Sequence, residues 1–358
     1  MNKKELELYI HIPFCVRKCS YCDFLSAPAT EQTREAYMAA LFAEIGGRAK
    51  DYSDRTVTSI FIGGGTPSLL SGEQIGQLMD RIREQFAMAQ DAEITMEVNP
   101  GTASAEKLRN FYTAGINRLS IGMQSAQAEE LKNLGRIHDF EGFCQVYREA
   151  VEAGFTNINV DIMSGLPGQT LASYRDTLEK VLHLEPMPQH ISAYSLIVEE
   201  GTPFAAMAER GELPLPEEET ERAMYEETIE VLSKYGFHRY EISNYARDGY
   251  ECRHNVGYWI RRDYLGFGIG AASLIDNVRF QNEKSLGAYL AHPLESREEE
   301  QTLTVQDRME ETMFLGLRLT RGVSCVDFAE QYGRTVEEVY GEVIARNVAD
   351  GLLTVTER

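Results

Sequence analysis

The sequence predicts an α/β fold in which six parallel strands and their helices form a partial, TIM-like (β/α)6 barrel. Two observations carry this prediction: short apolar runs recur along the first 200 residues, and longer segments of helical periodicity lie between them. Strands that alternate with helices are typical of parallel βαβ units, which wind right-handedly. The strand candidates are LELYIHI (6–12), VTSIFIG (57–63), EITMEV (93–98), RLSIGM (118–123), NINVDIM (157–163) and HISAYSLI (190–197).

Helical segments separate these strands. Their apolar residues recur every three or four positions, as on one face of a helix. Each strand is followed by a polar or glycine-bearing loop, which is where barrel enzymes place their chemistry. The clearest helical segments are TREAYMAALFAEI (33–45), EQIGQLMDRIREQF (73–86) and EGFCQVYREAVEAG (141–154).

The pattern changes after residue 200. We expect a barrel over 1–200, a connector with an α+β extension over 201–304, and a small helical appendix over 305–358. The connector AERGELPLPEEETER (208–222) is rich in proline and acidic residues. The appendix is expected to hold two or three helices and a terminal strand, an arrangement that could resemble a winged helix.

Composition narrows the classes of function. The 358-residue chain has a formal charge of −21, which disfavours a nucleic-acid partner because such binding depends on Lys and Arg neutralising phosphates. The N-terminal segment lacks the apolar core of a signal peptide, and no apolar run is as long as a membrane helix. We therefore expect a cytoplasmic protein, in which clustered cysteines more often bind metal or do chemistry than form disulfides.

Three of the six cysteines lie close together, in YIHIPFCVRKCSYCDF (9–24). Cys15, Cys19 and Cys22 have the spacing C-x3-C-x2-C, and thiolates favour zinc, Cu(I) or iron–sulfur clusters. Structural zinc needs four ligands, and His11 could complete such a site, so zinc stays an alternative. A [4Fe–4S] cluster normally takes four thiolates, so three would leave one iron open to a small molecule.

Two glycine-rich segments invite comparison with nucleotide-binding loops. GGGTPS (63–68) follows the second strand, but it matches neither the P-loop nor the dinucleotide pattern. GFGIGA (266–271) matches G-x-G-x-x-A, yet no βαβ context follows it. We therefore expect no dinucleotide site at either segment.

Longer motifs give a specific resemblance. HIPFCVRKCSYCDF resembles the signature of radical S-adenosylmethionine (SAM) proteins, whose open iron binds the amino and carboxylate groups of SAM. GGGTP resembles the loop that contacts the SAM amino group. Over essentially its whole length the chain most resembles the anaerobic coproporphyrinogen oxidase family, in its heme-chaperone branch. The remaining motifs of this resemblance are EVNPGT (97–102), GINRLSIGMQS (115–125), LGRIH (134–138), NVDIMSGLPGQT (159–170) and HNVGYW (254–259).

The resemblance implies which residues hold the cofactors. Cys15, Cys19 and Cys22 would hold the [4Fe–4S] cluster, and Glu97 would take the ribose hydroxyls of SAM. Each polar residue of the set, taken alone, would pass for a solvated loop residue; together they follow the carboxyl ends of successive strands. The other SAM-binding residues that the resemblance implies are Tyr9, Gly64, Gly65, Thr66, Gln124, Arg136 and Asp161.

Two functions follow from the resemblance. A coproporphyrinogen III oxidase of this family cleaves SAM reductively and decarboxylates porphyrinogen propionates. A heme chaperone binds heme and passes it to an acceptor protein. The oxidases carry a further cysteine where this chain has Phe24, and a longer segment before the cluster motif, so the sequence favours the chaperone.

The HNVGYW segment supplies the candidates for heme. His254 offers an imidazole, a common axial ligand of heme iron, and Tyr258 and Trp259 offer flat apolar faces. Cys252 is a competing ligand two residues upstream. The expected partners are a heme acceptor protein and, if SAM is cleaved, an electron donor. Homodimerisation and peripheral association with a membrane are left open.

Overall fold

The computed structural model describes residues 3–295 and 297–356, and within them twelve strands form one mixed sheet. In the order of the sheet the strands are β12-β11-β10-β9-β1-β2-β3-β4-β5-β6-β8-β7. Numbered along the chain, their bounds are β1 Lys4–Ile12, β2 Arg55–Gly64, β3 Ala87–Val98, β4 Arg118–Gln124, β5 Ile158–Ser164, β6 His190–Ser195, β7 His238–Arg239, β8 Asn244–Ala246, β9 Tyr264–Phe267, β10 Ala272–Ile275, β11 Val278–Asn282 and β12 Arg297–Thr302.

Thirteen α-helices and three short 3-10 helices surround the sheet in the described residues. The α-helices are α1 Glu31–Arg48, α2 Gly72–Gln85, α3 Ala105–Thr113, α4 Ala128–Leu134, α5 Phe140–Ala153, α6 Leu171–Leu182, α7 Pro203–Glu209, α8 Glu218–Lys234, α9 Arg253–Trp259, α10 Leu286–Ala291, α11 Val305–Gly316, α12 Cys325–Tyr332 and α13 Val336–Ala349. The 3-10 helices are Ala49–Tyr52, Pro67–Leu69 and Pro100–Thr102.

The first six strands are neighbours in sequence order and pair in parallel from β1 to β6. Helices connect them, and the sheet does not close on itself, because β1 pairs with β9 and β6 pairs with β8. The predicted α/β partial barrel is therefore confirmed. In such a barrel the carboxyl ends of all six strands meet at one end, where loops can build a site.

Strand β1 shows how the sequence forms this layer. Leu6, Leu8 and Ile10 alternate along it and are fully buried in the main hydrophobic core. Successive side chains of a strand point to opposite faces, so Glu7 and Tyr9, which lie between these apolar residues, face the other side of the sheet. Because helices cover the outside of the barrel, the polar face of this strand lies inside it, where a functional site can form.

Helix α2 is also specified by local features of its sequence. Ser71 caps its first turn, and Gln74 bonds back to the Ser71 backbone, which completes a capping box. Ile75, Leu78 and Ile82 are buried at intervals of three and four, as the apolar stripe of a surface helix requires.

The extension predicted at 201–304 does not form a separate sheet. Strands β7 and β8 continue the barrel sheet beyond β6, and β9 pairs in parallel with β1 at the other edge. The division at residues 200 and 304 stays a prediction. The GFGIGA segment joins β9 to the antiparallel β10 without a helix, so the described structure lacks a dinucleotide-binding βαβ unit there.

Helices α11, α12 and α13 pack around a small core of Met309, Phe328 and Val336. The expected terminal strand is wrong: residues 351–356 are a turn and irregular backbone, because no partner strand lies beside them to take their hydrogen bonds. Within residues 3–295 and 297–356, no helix has the length and apolarity needed to cross a membrane.

Candidate functional site

A cavity of about 290 Å³ opens at the carboxyl ends of the barrel strands. Its walls come from the cysteine loop after β1, from the ends of β2 to β6, and from the turn after α4. Parallel strands bring their carboxyl ends to one edge, so residues that are distant in sequence meet at this cavity. The predicted residues that line this cavity are Cys15, Cys19, Cys22, Gly64, Gly65, Thr66, Glu97, Gln124, Arg136 and Asp161.

Backbone hydrogen bonds hold the cysteine loop in place. The N–H of Cys15 donates to the carbonyl of Ala27 at 3.2 Å, and the N–H of Ser20 donates to that of Leu134 at 3.0 Å. Within the loop, the N–H of Cys22 donates to the carbonyl of Cys19 at 3.3 Å. All three thiols are free and partly exposed to the cavity, and burial raises the pKa of the Cys22 thiol.

Side chains from other segments approach two of the three sulfurs. The hydroxyl of Thr66 donates to Cys15 Sγ at 3.4 Å, and Nη1 of Arg136 donates to Cys19 Sγ at 3.8 Å. Arg136 is anchored by a bond from Nη2 to the carbonyl of Gly122 at 2.7 Å. Its Nε is buried and has no hydrogen-bond partner, so a donor is left for a ligand at this wall. Donors aimed at sulfur stabilise thiolates.

The three thiols all border the same cavity. In the described residues, no three metal-ligating side chains converge closely enough to hold a single ion. Thiolates of a [4Fe–4S] cluster each bind a different iron, so they need not converge in this way. His11, which a zinc site would need, bonds through one ring nitrogen to the hydroxyl of Tyr9 and through the other to the carbonyl of Leu25, each at 2.9 Å.

The glycine loop after β2 needs its glycines for close approach. Gly64 has φ +111, a conformation that L side chains rarely adopt, and a Cβ there would lie 2.6 Å from the His11 ring. A Cβ on Gly65 would lie 2.7 Å from the carbonyl oxygen of Phe14. The loop is thus packed directly against the segment that leads into the cysteines, and its backbone forms a bare wall of the cavity.

The carboxyl groups of Glu97 and Asp161, both half-buried, line the cavity close enough for one charge to influence the other. Burial, reinforced by the nearby Asp161, raises the pKa of Glu97 to about 8. Burial also raises the pKa of Asp161, although Asn159 and Ser120 donate hydrogen bonds to it at 2.7 and 3.2 Å. Buried carboxyl groups with unused acceptor oxygens are suited to the hydroxyls of a nucleoside.

The sequence missed residues that position the predicted ones. Tyr194, in β6, lines the cavity and donates from its hydroxyl to Oε1 of Gln124 at 2.9 Å. Gln124 itself has φ +69, so its backbone leaves the strand direction at this point. Ser120 holds Asp161 from the neighbouring strand. The signal that could have found these residues is their position, because they are polar residues near the ends of predicted strands.

A second cavity, of about 380 Å³, lies beside the first and shares Phe24, Gly64 and Glu97 with it. Tyr9 lies in the wall of this second cavity and not in that of the first. Tyr258 lies in the same wall. Glu97 therefore stands between a space bordered by cysteines and a space bordered by tyrosines.

The heme candidates of HNVGYW lie on α9, and most of them are turned inward. The side chain of His254 is 1% exposed, and burial lowers its pKa to about 3. Cys252 is fully buried, its Sγ lies 3.6 Å from Oε1 of Glu93, and burial raises its pKa to about 12. Trp259 packs under the guanidinium of Arg318, 4.5 Å from the ring centre.

Comparison with known proteins shows which family has this sequence and fold. A model described as the radical SAM superfamily matches residues 9–181, and one described as the HemN C-terminal domain matches residues 303–358. A curated relative, heme chaperone HemW of Bacillus subtilis, is 39% identical over 98% of this chain and 93% of its own length. The chain belongs to the heme chaperone HemW family. Its counterpart from Escherichia coli is 37% identical over 98% of this chain and 92% of its own.

A solved structure agrees with this membership of the HemW family. It is that of coproporphyrinogen III oxidase (HemN) from Escherichia coli, described as a radical SAM enzyme. It superimposes with a TM-score of 0.87 at 29% identity, covering 99% of this chain and 86% of that one. The fold and the radical SAM core are therefore common to both branches.

The radical SAM core of the HemW family confirms a [4Fe–4S] cluster and SAM as the cofactors of this chain and decides against the zinc alternative. The residues present fit these cofactors. Three free thiols border the cavity, Gly64 and Gly65 give it a wall of bare backbone, and Nε of Arg136 is a buried donor without a partner.

Proposed function

We propose that this protein is a heme chaperone, which binds heme and transfers it to an acceptor protein. The observation that carries the proposal is the pattern of similarity. Relatives named heme chaperone HemW reach 39% identity along 98% of the chain, whereas the coproporphyrinogen oxidase structure, with equal coverage, shares 29%.

The position of Phe24 supports the same choice. The resemblance assigns a further cysteine of the oxidases to this position, and here the side chain is a phenyl ring, 58% exposed at the border of the two cavities. A phenyl ring can neither ligate iron nor exchange a hydrogen atom as a thiol does. It offers instead an apolar face to a flat ligand.

The second candidate function is that of the oxidase. It is favoured by one observation, the TM-score of 0.87 with the coproporphyrinogen III oxidase structure over nearly the whole chain. Shared fold is weak evidence for shared chemistry, because function depends on the residues of the site. Phe24 is one such residue, so we rank the oxidase second.

The chain's own residues would divide the work of holding the cofactors. Cys15, Cys19 and Cys22 would hold the cluster, and Arg136 would donate to the Cys19 sulfur. When bound, the cluster and SAM supply a one-electron redox centre with a ligand at its open iron. The backbone around Gly64, together with Gly65 and Thr66, would border the methionine end of SAM, whereas Tyr9, which the resemblance adds to this set, lines the neighbouring cavity.

The remaining polar wall would hold the nucleoside end of SAM. Glu97 would accept from the ribose hydroxyls, and Asp161 would lie opposite. Gln124, oriented by Tyr194, and Arg136 would complete the pocket. An acceptor protein with a vacant heme site is the partner that this function requires, and an electron donor is required only if SAM is cleaved.

The test combines two measurements on cluster-loaded protein. Heme is titrated in while the absorption spectrum is followed, and the same preparation is incubated with coproporphyrinogen III, SAM and a strong reductant. We expect saturable heme binding and no decarboxylated product. Product formed over many turnovers would replace the chaperone with the oxidase, and the absence of heme binding would remove the chaperone.

A further inference from the structure

Of the four heme candidates, Tyr258 is the one that borders either cavity at the barrel mouth. It lines the second cavity together with Tyr9 and Glu97, and its ring packs edge-on against that of Tyr264, 4.6 Å between centres. Cys252, His254 and Trp259 border neither cavity, so a ligand that enters from the barrel mouth meets the phenol first.

His254 lies directly behind this phenol and has no ring nitrogen to spare. Its Nε2 is 3.1 Å from the hydroxyl of Tyr258, and its Nδ1 is 2.9 Å from the hydroxyl of Ser59. The ring also stacks on Phe61, with 5.4 Å between centres. To reach a heme iron, the imidazole would have to break both hydrogen bonds and leave this packing.

A second observation shows that His254 is part of a built arrangement. Glu7 is 0% exposed, and its Oε2 has no hydrogen-bond partner and lies 3.9 Å from His254 Nδ1. Its Oε1 lies 3.4 Å from Arg262. Gly257 permits this approach, since a Cβ there would collide with the Glu7 carboxyl group. The hydrogen bond between Ser59 and Nδ1, with Glu7 packed beside it, fixes the orientation of the ring and of its bond to Tyr258.

We propose that Tyr258, rather than His254, is the residue of the HNVGYW segment that binds the heme iron, and that His254 is its hydrogen-bond partner. The inference rests on the proposed heme-binding function. Tyrosine is an established axial ligand of heme iron, and partners behind a ligand set its orientation and basicity. Tyr258 lines the second cavity, and its hydrogen bond to His254 leaves one lone pair of the phenol oxygen for iron.

Binding to ferric heme is then a simple exchange. The O–H bond of Tyr258 would break as a bond forms from its oxygen to the iron, and the proton would leave to solvent through the cavity, because burial holds the pKa of His254 near 3. No oxidant or reductant is needed, because the iron keeps its oxidation state.

The test uses cluster-loaded full-length protein and ferric heme, read by difference absorption and by EPR at low temperature. Wild type should show a phenolate-to-iron charge-transfer band and a high-spin ferric signal. Tyr258→Phe should lose both and bind heme more weakly. His254→Gln should keep the band but shift it and weaken binding by about tenfold, as expected for a partner behind the ligand.

A matched control separates ligation from packing. Tyr147, on α5, lines neither cavity, and Tyr147→Phe removes a hydroxyl that donates to the carbonyl of Pro186. It should keep the wild-type heme spectrum, and cluster content in every variant reports folding.

The outcomes distinguish the two proposals. Wild type that binds no heme overturns the chaperone function and this inference with it. If wild type binds heme and Tyr258→Phe keeps the wild-type band, the chaperone function stands and the tyrosine ligand is overturned. Loss of the iron ligand in His254→Gln or in Cys252→Ala, with Tyr258→Phe unaffected, would give the role to that residue.

Discussion

The backbone N–H of Gly64 donates a hydrogen bond to the carboxyl group of Glu97, with 3.0 Å between the nitrogen and Oε2. Gly64 ends β2 and Glu97 lies one residue before the end of the neighbouring β3. Because both residues line both cavities, this bond fixes the wall that separates the cysteine side of the site from the tyrosine side.

Glu97→Ala should weaken SAM binding by roughly 1–3 kcal/mol, the loss expected when a buried hydrogen-bonding partner is removed. The readout is the EPR signal of the reduced cluster, which SAM should perturb through the open iron, titrated against SAM concentration. Cluster content should not change. Unaltered SAM affinity would remove Glu97 from the ribose site.

The matched control for this variant is Glu130→Ala. Glu130 is also a buried carboxylate and accepts from Ser125, Gln169 and Ser173, but it lines neither cavity. Glu130→Ala should therefore leave SAM affinity as in wild type, even if the variant lowers the stability of the protein.

Replacing Cys15, Cys19 and Cys22 together by Ala should abolish the cluster. Wild-type protein reconstituted without oxygen should hold about four irons and four sulfides per chain, with a visible charge-transfer band. Cys144→Ala and Cys325→Ala should keep both, because these thiols lie outside the cavity wall. A cluster that assembles in the triple variant would mean that the site lies elsewhere.

Arg136→Gln should lower the reduction potential of the cluster. The variant removes a positive charge and a donor that lies 3.8 Å from Cys19 Sγ, and charge and hydrogen bonds to sulfur set such potentials. Redox titration followed by EPR measures the shift. Arg17→Gln is the control on the same loop, since Arg17 bonds to the carbonyl of Gly135 and not to sulfur. Equal potentials in wild type and Arg136→Gln would contradict the contact.

Glu97 should make the cluster-free protein less stable as pH rises. Burial, with Asp161, raises its pKa from the ordinary 4.5 to about 8, so between these values the unfolded chain has released a proton that the folded chain keeps. Stability then falls with increasing pH, by at most about 1.4 kcal/mol per pH unit. Glu97→Gln removes this dependence.

The measurement is urea unfolding of wild type and Glu97→Gln at several pH values. The free energy of unfolding of the variant relative to wild type should increase from about pH 5 to about pH 8. Taking the difference cancels the buried histidines, which titrate in both proteins. A difference that stays constant with pH would show that Glu97 titrates alike in the folded and unfolded chains.

Glu44→Ala should destabilise the protein by about 3–5 kcal/mol, the usual cost of breaking a buried pair from one side. Its carboxylate, on α1, pairs with Arg48 at 2.9 Å and accepts from the N–H of Gly268 and from Asn282 and Tyr289. Urea unfolding measures the loss of stability. Glu342→Ala, at an exposed position on α13, is the control, and its free energy of unfolding should equal that of wild type within error. A change below 1 kcal/mol, on the scale of a surface pair, would contradict this network.

The barrel could be predicted because each of its strands carries its own evidence. Leu6, Leu8 and Ile10 alternate along β1 and are all buried, so a local pattern sufficed. The pairing of β9 beside β1 could not be predicted in this way. Leu8 lies opposite Leu265 in that pair, and nothing local in either segment records a partner so far along the chain.

The cluster motif can be read from the sequence alone. Cys15, Cys19 and Cys22 lie in one short loop, so their spacing is a local property that the printed sequence displays. The orientation of the HNVGYW segment, in contrast, depends on tertiary packing. His254 bonds to Ser59, 195 positions away, while Tyr258 reaches the cavity. Burial and hydrogen-bond partners arise from the packing of distant segments, and no local pattern contains them.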